Sequence, residues 1–422
     1  MASADIQAGA TRYDLQPLED ALKARGLEGI YTRDFMVQLS NDTAKLRLGE
    51  LSLAALKHED TAPAWLRNSL TGEVNPPNPG LRTYSGHWYN SYLRIAAYGY
   101  GKGPDLLIKA RHTDGLIAPP DHGFDPHKAC SPVQLTSHAP HQDDQLTQKL
   151  QNWAVCNDVL GVSRTRTLAQ LQIIQHYLQS GAPRIDKVVC MGLGSLSRQT
   201  GTLSGLDAWF RPYSQHIVAL SIAKALDDLY EHQYERYGDN DTRVRVLAQD
   251  PGYSDSDKQV LAENGITVLE DPNGLIAIDE KTFVMSAFPS FPLYEIIADM
   301  LPGSGPAAIF DASLPASVTG SHVSSAMRYN EFAAPRVKMM LRGWRAHAIK
   351  WDEQELLEIN EKLQMAVDWL PRMRLFLHCN SSLESLDQRI KEDILQRQNT
   401  VDDMLPSGIQ WLRQRIIQLI KP

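Results

Sequence analysis

The stretch KVVCMGLGS, residues 187–195, decides the fold. Its apolar run is short and continuous, and it stops at two glycines, Gly192 and Gly194. A continuous apolar run indicates a strand buried on both faces, as in a parallel sheet, whereas a half-exposed strand alternates apolar and polar residues. Glycine permits the backbone angles of a sharp turn. The sequence therefore predicts a buried strand that runs into a tight turn.

Strands and helices alternate on both sides of this stretch. The segment RTLAQLQIIQHYLQSG, residues 166–181, has apolar residues at helical spacing and ends in a glycine that suits a C-cap. The segment SQHIVALSIAKALDDLYEHQYERYG, residues 214–238, predicts a long helix. Further short apolar segments predict four strands: RVRVLAQD (243–250), ITVLE (266–270), TFVMSAF (282–288) and AAIFDAS (307–313). The alternation predicts a three-layer α/β fold with a mostly parallel, Rossmann-like sheet.

Three regions follow from the same patterns. Residues 1–160 carry turn-rich stretches such as TGEVNPPNPG and predict an irregular accessory region. Residues 161–320 predict the α/β core. Residues 321–422 predict a mainly helical region packed on that core, because DEQELLEINEKLQMAVDWL (352–370) and SLESLDQRIKEDILQRQ (382–398) show helical spacing.

Composition excludes several classes of protein. A net charge of −8 argues against non-specific coating of nucleic acid. No CxxC spacing occurs among Cys130, Cys156, Cys190 and Cys379, which argues against a disulfide framework or a structural zinc site. The irregular histidines of the proline-rich segment 112–144 favour a polar loop over a metal site. The N-terminus does not resemble a signal peptide and no apolar run approaches ~20 residues, so we expect a cytoplasmic protein without metal or cofactor.

The carboxyl ends of the predicted strands are the expected site. Ligands of open α/β sheets bind beyond these ends, where the strand order reverses. Polar and glycine residues follow each strand, and Glu270 and Asp271 are among them. We predict that six residues at these ends bind substrate: Gly192, Gly194, Asp250, Tyr253, Ser286 and Asp311.

The segment MGLGSLSRQTG, residues 191–201, permits three interpretations. A dinucleotide site is disfavoured, because Ser197 stands where the fingerprint has its third glycine and Asp250 lies more than twice the usual ~20 residues away. A second interpretation gives the glycines only the role of a sharp turn. In a third, Ser195 or Ser197 is a nucleophile that accepts an acyl group, which requires a base within hydrogen-bonding reach.

Three acids cluster in the C-terminal half of the long helix. Asp227 and Glu231 are four residues apart and Asp228 and Glu231 three, so each aspartate shares a face with Glu231. Like charges at this spacing repel weakly, and the helix dipole disfavours anions there. These local facts favour a solvated helix end. The alternative is an acidic pocket for an amine or guanidinium, or a general acid/base.

A basic segment, RYNEFAAPRVKMMLRGWRAHAIK at residues 328–350, stands out in an acidic chain. Its simplest interpretation is a solvated helix face. The alternative is a surface that contacts phosphates, as a tRNA ligand requires. The residues predicted to bind tRNA are Arg336, Lys338, Arg342, Arg345 and Lys350.

The order of these motifs resembles the Sensitivity to Red Light Reduced (SRR-like) domain over about residues 165–315. That domain pairs a glycine-rich first strand with an Asp-Pro-x-aromatic turn, here DPGY at 250–253, and a Gly-Ile-x-Val-Leu strand, here GITVL at 265–269. The chain departs from plant and animal members at MSAFPSFP, 285–292, where those have a Met-Pro-His-Cys-Pro type segment.

A fungal branch that this chain resembles is the arginine-containing cyclodipeptide synthases, whose pattern includes a DDxxE motif needed for activity. Asp227-Asp228-Leu229-Tyr230-Glu231 fits that motif. The resemblance implies an aminoacyltransferase of secondary metabolism, which joins arginine from arginyl-tRNA to a second, possibly aromatic, amino acid and releases a cyclic dipeptide. No ATP site is required, because an aminoacyl ester is already activated.

The resemblance also implies roles for the residues. Glu231 would transfer protons, Asp227 and Asp228 would hold the guanidinium or α-ammonium, and Ser195 or Ser197 would carry an acyl intermediate. The partners would be arginyl-tRNA and a second aminoacyl-tRNA or amino acid. The alternative is a non-catalytic regulatory or interaction protein, as plant and animal relatives suggest.

Overall fold

The structure, a computed structural model, describes Lys23 and residues 29–47, 86–89, 133–136, 145–161, 163–197, 210–234, 243–287, 289, 291–312, 334–342, 344–363 and 366–378. Its helices are α1 (Arg33–Arg47), α2 (Leu146–Gly161), α3 (Arg164–Ser180), α4 (Arg211–Tyr234), α5 (Asp255–Glu263), α6 (Asn273–Ile276), α7 (Leu293–Met300), α8 (Pro335–Met340) and α9 (Glu353–Lys362). Its strands are β1 (Gly86–Tyr89), β2 (Val133–Thr136), β3 (Lys187–Met191), β4 (Arg245–Gln249), β5 (Ile266–Val268), β6 (Thr282–Ser286), β7 (Ala308–Asp311), β8 (Trp344–Ala348) and β9 (Arg374–His378).

Seven strands form one sheet in the order β5-β4-β3-β6-β7-β9-β8. The first five are parallel, and β9 and β8 then pair antiparallel at the far edge. The chain runs from β3 outward to β5 and then returns to place β6 on the other side of β3. The strand order therefore reverses between β3 and β6, which is where sheets of this kind bind ligands. The predicted α/β fold with a mostly parallel, Rossmann-like sheet is confirmed.

Helices cover both faces of the sheet. The first core holds apolar side chains from α2, α3, α4, α5 and α9, and the second holds those from α1, α6, α7 and α8. Strand β3 is buried at every position and serves both cores, because successive side chains point to opposite faces. Val188 and Cys190 belong to the first core, and Val189 and Met191 to the second. This two-sided burial explains why residues 188–191, VVCM, form a continuous apolar run.

Local signals fix the ends of two helices next to the sheet. Ser163 caps α3 by accepting a hydrogen bond from the Arg166 amide, and Gly181 ends it in the left-handed region at φ 64°, as predicted. Ser254 and Asp257 form a capping box at the start of α5, in which each side chain accepts a hydrogen bond from the other residue's backbone amide. The capping box therefore sets where the loop after β4 becomes helix.

The C-terminal part of the described chain differs from its prediction. The segment expected to be mainly helical contributes β8 and β9 to the sheet, and the basic segment is a short helix followed by a strand. The helix predicted over 352–370 ends at Lys362 and is followed by turns. The helix predicted over 382–398 lies outside the described residues. Strand pairing is a non-local interaction, so helical spacing alone misled the prediction here.

The core also extends beyond its predicted N-terminal limit at residue 161. Helix α2 precedes that limit and places Trp153, Cys156 and Leu160 in the first core. Further upstream, Arg33 on α1 donates hydrogen bonds to the carbonyl oxygens of Ile276 and Ile278 at 2.7 and 2.6 Å. Part of the region expected to be accessory therefore packs on the sheet.

Candidate functional site

The turn after β3 is closed by backbone hydrogen bonds and a carboxylate. Gly192 and Gly194 have φ values of 66° and 84°, in the region that favours glycine. The Gly192 amide donates to the Gln249 carbonyl oxygen at 3.0 Å. The Gly194 amide donates to Asp250 Oδ2 at 2.8 Å. The Gly194 amide, which a phosphate would need as a donor, is already hydrogen-bonded to the Asp250 carboxylate, so this turn is poorly suited to a dinucleotide.

Asp250 joins the two loops that leave β3 and β4. Its Oδ1 accepts a hydrogen bond from the Gly252 amide at 2.7 Å, within its own loop. Its Oδ2 accepts the hydrogen bond from the Gly194 amide of the neighbouring loop. Asp250 was predicted to bind substrate, and the structure gives it at least this local role of holding the two loops together.

A buried lysine lies at the centre of the same edge. Lys149, on the first turn of α2, is 1% exposed. Its Nζ donates to the hydroxyls of Ser197, Ser254 and Ser256 at 2.9, 3.0 and 2.9 Å. It also forms an ion pair with Asp257, which is fully buried. Three segments of the chain therefore meet at one ammonium group: α2, the loop after β3 and the start of α5.

The two predicted serine nucleophiles have different surroundings within this cluster. Ser195 is buried, and its hydroxyl donates to Asp257 Oδ2 at 2.6 Å and accepts from the Ser197 amide at 3.0 Å. Ser197 is half-buried, and its Oγ accepts from Lys149 Nζ. Ser197 is therefore partly exposed and hydrogen-bonded to a lysine, which can act as the base that a serine nucleophile requires once it has given up a proton.

A histidine and a tyrosine are buried behind these loops. His216 on α4 is fully buried, with Nδ1 2.6 Å from the Pro212 carbonyl oxygen and Nε2 2.7 Å from the Tyr253 hydroxyl. Burial lowers the pKa of His216 to about 4, although Pro212 and Asp257 act in the opposite direction. Burial also raises the pKa of Tyr253, with the charge of Asp250 adding to it. Tyr253, which was predicted to bind substrate, therefore donates a hydrogen bond from its hydroxyl to the neutral ring of His216.

Two other predicted binding residues lie at the ends of β6 and β7. Ser286 is fully buried and donates to the Met191 carbonyl oxygen at 2.9 Å, which ties β6 to β3 at the reversal of strand order. Asp311 is fully buried at the end of β7. Asp271, after β5, accepts from Gln249 Nε2 at 3.0 Å. The structure thus assembles the strand ends at one edge, as predicted.

The three acids of the DDxxE motif lie near the amino ends of the parallel strands, at the opposite end from the serines. Asp227 Oδ1 accepts from the Val244 amide at 2.6 Å, just before β4 begins, whereas Asp228 and Glu231 are exposed. Burial raises the pKa of Asp227, and the charges of Asp228 and Glu231 add to this, against the Val244 hydrogen bond and Arg243. The motif therefore contains one perturbed carboxyl group and two solvated ones.

The acids and the serines are too far apart to act on one carbonyl group. The Tyr213 hydroxyl, near the start of α4, donates to the Leu196 carbonyl oxygen at 2.9 Å, within the serine loop. Asp227 follows Tyr213 by fourteen residues on the same helix, which is about 21 Å at the α-helical rise. Strand β4 gives a similar estimate: Asp227 contacts the residue before this strand and the serine loop contacts the residue after it, and its 5 residues span about 16 Å. The structure does not bring together the two groups predicted to be catalytic.

The predicted tRNA-binding residues divide into two kinds. Arg336 Nη1 lies 2.8 Å from Oδ1 of the buried Asp299, whose Oδ2 also accepts from the Ile30 and Tyr31 amides. Arg336 therefore anchors α8 to α7. The side chains that remain exposed are Lys338, Arg342, Arg345 and Lys350. The predicted tRNA-binding surface around α8 and β8 therefore keeps four exposed basic residues, and its contact with tRNA stays a prediction.

Cysteines and histidines form no metal site within the described ranges, and the cysteines described there are buried. Cys156 and Cys190 are free and buried, and burial raises both thiol pKa values, that of Cys156 to about 12. The other two cysteines and the histidines of segment 112–144 lie outside the described residues. No group of three His, Cys, Asp or Glu side chains is arranged for a metal ion among the residues that the structure describes. None of the helices in those ranges has the length and apolarity needed to cross a membrane.

Sequence reasoning missed the two charged residues at the centre of the cluster, Lys149 and Asp257. They are separated by 108 positions, so no local spacing links them. A weaker signal was present for Asp257, because Ser254 and Asp257 have the spacing of a capping box at the start of a helix. No comparable signal marked Lys149.

Comparison with known protein families identifies an SRR1 domain at residues 146–348. The match begins with α2 and ends with β8, so it includes Lys149, the loops after β3 and β4, and the three acids. No curated protein and no solved structure matches the chain.

Proposed function

We propose that this chain, which carries an SRR1 domain, is an aminoacyltransferase with Ser197 as its acyl-accepting nucleophile. The observation that carries the proposal is the contact between the half-buried Ser197 Oγ and the buried Lys149 Nζ at 2.9 Å. This pair lies beyond the carboxyl ends of the parallel strands, next to the reversal of strand order, where α/β enzymes hold their ligands. Lys149 can give a proton to the leaving group and take up the proton of the serine, which is the acid–base work that acyl transfer requires.

The chemistry of the first step can be written with these groups. Ser197 Oγ forms an ester with the carbonyl carbon of an aminoacyl-tRNA, and the bond from that carbon to the ribose oxygen breaks. The serine proton passes through Lys149 to the departing ribose oxygen, so Lys149 has the same charge before and after. Asp257 holds Lys149 in place through the ion pair, while Ser195 holds the Ser197 amide.

The specific form that we propose is a tRNA-dependent cyclodipeptide synthase that uses arginyl-tRNA. The α-amine of a second aminoacyl group attacks the acyl-serine, which forms the peptide bond and restores Ser197. The α-amine of the first residue then closes the ring on the remaining ester and releases the second tRNA. The exposed Lys338, Arg342, Arg345 and Lys350 would contact tRNA phosphates.

The DDxxE acids offer a second location for chemistry. Asp227 has the raised pKa that is common at functional sites, and its cause is burial together with the charges of Asp228 and Glu231. Glu231 is exposed and free to meet a substrate amine. Because this edge lies about 20 Å from Ser197, Glu231 as the proton-transferring residue is an alternative to the serine site and not a part of it.

A non-catalytic role is the second candidate function, and one observation favours it. Lys149, Asp257 and the serines around them satisfy one another's hydrogen bonds inside the protein. Such a network is also a way to fasten α2 to the sheet without any chemistry. Under this candidate the chain is a regulatory or interaction protein built on an SRR1 domain.

Mass spectrometry of reaction products tests these proposals. The purified protein is incubated with arginyl-tRNA and a mixture of other aminoacyl-tRNAs, and cyclic Arg-Xaa products are sought. Ser197→Ala is expected to abolish product, and the wild-type protein is expected to show an acyl adduct on the peptide that contains Ser197. A control is Ser304→Ala, whose partly exposed hydroxyl makes a long hydrogen bond to Glu280 at 3.4 Å.

Each outcome assigns the function differently. Product that is lost in Ser197→Ala and kept in Glu231→Gln supports the serine site. Product that is kept in Ser197→Ala and lost in Glu231→Gln moves the chemistry to the acids. Absence of product with intact aminoacyl-tRNAs, in a protein that folds normally, contradicts the synthase and leaves the non-catalytic candidate.

A further inference from the structure

The first turns of α4 contact every segment that meets at Lys149. Tyr213 and His216 are three residues apart on this helix, so they lie on one face. Both side chains are almost completely buried. Neither was predicted to be a site residue, and neither touches the Ser197 hydroxyl or the Lys149 ammonium in the contacts described above.

Tyr213 connects the serine loop to helix α2. Its hydroxyl donates to the Leu196 carbonyl oxygen at 2.9 Å, between the two serines. Its ring packs edge-on against Trp153, with centroids 6.4 Å apart. Trp153 follows Lys149 by one helical turn on α2. One side chain therefore fixes the position of Ser197 relative to the helix that carries Lys149.

His216 holds the other loop through Tyr253. The Pro212 carbonyl oxygen is only an acceptor, so the proton of the neutral ring lies on Nδ1, and Nε2 must accept from the Tyr253 hydroxyl. Tyr253 lies between Asp250, which holds the Gly194 amide, and Ser254, which contacts Lys149. The His216 ring therefore sets the position of the loop that leads into α5.

We infer that Tyr213 and His216 are positioning residues, which register α2, the loop after β3 and the loop after β4 against α4 and thereby set the distance between Ser197 and Lys149. This inference rests on the proposed serine site and goes beyond it, because it assigns a role to two buried side chains that meet no substrate. A displacement of about 1 Å in such a site lowers the rate of acyl transfer by up to a hundredfold.

Tyr213→Phe is the sharpest test, because it removes one hydroxyl and leaves the ring packing in place. Its control is Tyr177→Phe, since the buried Tyr177 hydroxyl also donates to a backbone carbonyl oxygen, that of Pro183 at 2.8 Å, near the amino ends of the strands, and it accepts in addition from the Tyr230 hydroxyl at 3.0 Å. Tyr177→Phe is therefore expected to lose at least as much stability as Tyr213→Phe. Only Tyr213→Phe is expected to lower kcat, by about tenfold to a hundredfold, with KM within about twofold of the wild-type value.

A conservative pair of variants tests His216. His216→Gln retains an oxygen that accepts from the Tyr253 hydroxyl, whereas His216→Leu retains only bulk. His216→Gln is therefore expected to keep several times more activity than His216→Leu. Equal kcat values for these two variants, at similar melting temperatures, would contradict a role for the hydrogen bond.

Amide hydrogen exchange separates failure of this inference from failure of the proposed function. The Ser197 and Gly194 amides are bonded to Ser195 Oγ and Asp250 Oδ2, and their exchange needs no substrate. Both amides are expected to exchange at least about fivefold faster in Tyr213→Phe than in Tyr177→Phe at matched global stability. Equal exchange in the two variants overturns the positioning role. Faster exchange in a protein that makes no product upholds the positioning and rejects only the acyltransferase.

Discussion

The carboxyl ends and the amino ends of the parallel strands, here called the carboxyl edge and the amino edge, hold charged side chains in different ways. At the carboxyl edge, Lys149 and Asp257 form an ion pair with almost no exposure, surrounded by serine hydroxyls. At the amino edge, Lys187 pairs with Asp279 at 2.7 Å, but the Asp279 side chain is 39% exposed. Asp227 lies at this same edge and has a backbone amide as its partner. The Lys149–Asp257 pair is therefore closed off from water, whereas Asp279 shares its charge with water.

This difference explains why a sequence motif and a structural cluster point to different places. The DDxxE acids are close in sequence, and two of them, Asp228 and Glu231, are exposed to water, so they need no partner from a distant part of the chain. The buried pair requires residues from distant parts of the chain, because charges inside a protein are stable only with partners. We therefore locate the proposed chemistry at the edge where the fold has assembled a nucleophile, an ammonium and a carboxylate.

The largest expected effect is the loss of the buried ammonium. Lys149→Met leaves the Asp257 carboxylate inside the protein without its counter-charge, so we expect the free energy of unfolding to fall by about 3–5 kcal/mol. Urea unfolding followed by circular dichroism measures it. The double variant Lys149→Met with Asp257→Asn is expected to recover part of the loss, because the uncompensated charge is removed. A loss below about 1 kcal/mol in the single variant would show that this edge is as solvated as the other.

Much of the fold was accessible from the sequence because its signals are local. Residues 188–191 (VVCM) are all apolar since β3 is buried on both faces, and the glycines after them adopt the positive φ angles that the turn requires. The positions of the polar strand ends followed from the parallel order. Strand β8 was missed, because WRAHA is largely exposed and becomes a strand only by pairing with β9.

The candidate site was accessible only in part. Ser195, Ser197 and Asp250 were singled out from their place after a strand, but Lys149 was not, because it reaches Ser197 from a helix that precedes β3. Sequence also placed the acids and the serines in one site. Their separation depends on the length of α4, which spans the sheet from one edge to the other.

An intermediate effect is expected at the amino edge from Lys187→Met. Burial raises the pKa of Asp279, but hydrogen bonds from Lys187, Thr282 and the Lys281 amide outweigh it, so the pKa lies below its ordinary value of 3.8. A depressed carboxyl pKa stabilises the fold above 3.8, and this stabilisation is lost as the pH falls through the folded-state value. At pH 7 the variant is expected to lose about 1 kcal/mol, because solvent screens the pair.

The pH dependence makes this comparison sharper. The difference in unfolding free energy between the wild-type protein and Lys187→Met is expected to shrink as the pH is lowered from 5 toward 3, as measured by urea unfolding at each pH. A difference that stays constant over this range would show that the lysine acts through packing of its side chain and not through the charges of Asp279 and Asp186, whose Oδ1 lies 3.2 Å from Lys187 Nζ.

The smallest expected effect concerns the first acid of the DDxxE motif. Burial raises the pKa of Asp227 above 3.8, which the charges of Asp228 and Glu231 reinforce. A raised carboxyl pKa means that ionisation costs the folded state free energy, and this cost is present above the folded-state pKa and disappears as the pH falls below 3.8. Asp227→Asn removes the charge and retains an oxygen for the Val244 amide. We therefore expect the free energy of unfolding at pH 7 to stay within about 0.5 kcal/mol of the wild-type value or to rise, with Asp228→Asn as the exposed control. A clear loss of stability in Asp227→Asn alone would mean that the ionised carboxylate is held as firmly as Asp257, and the contrast between the two edges would no longer distinguish the site of chemistry.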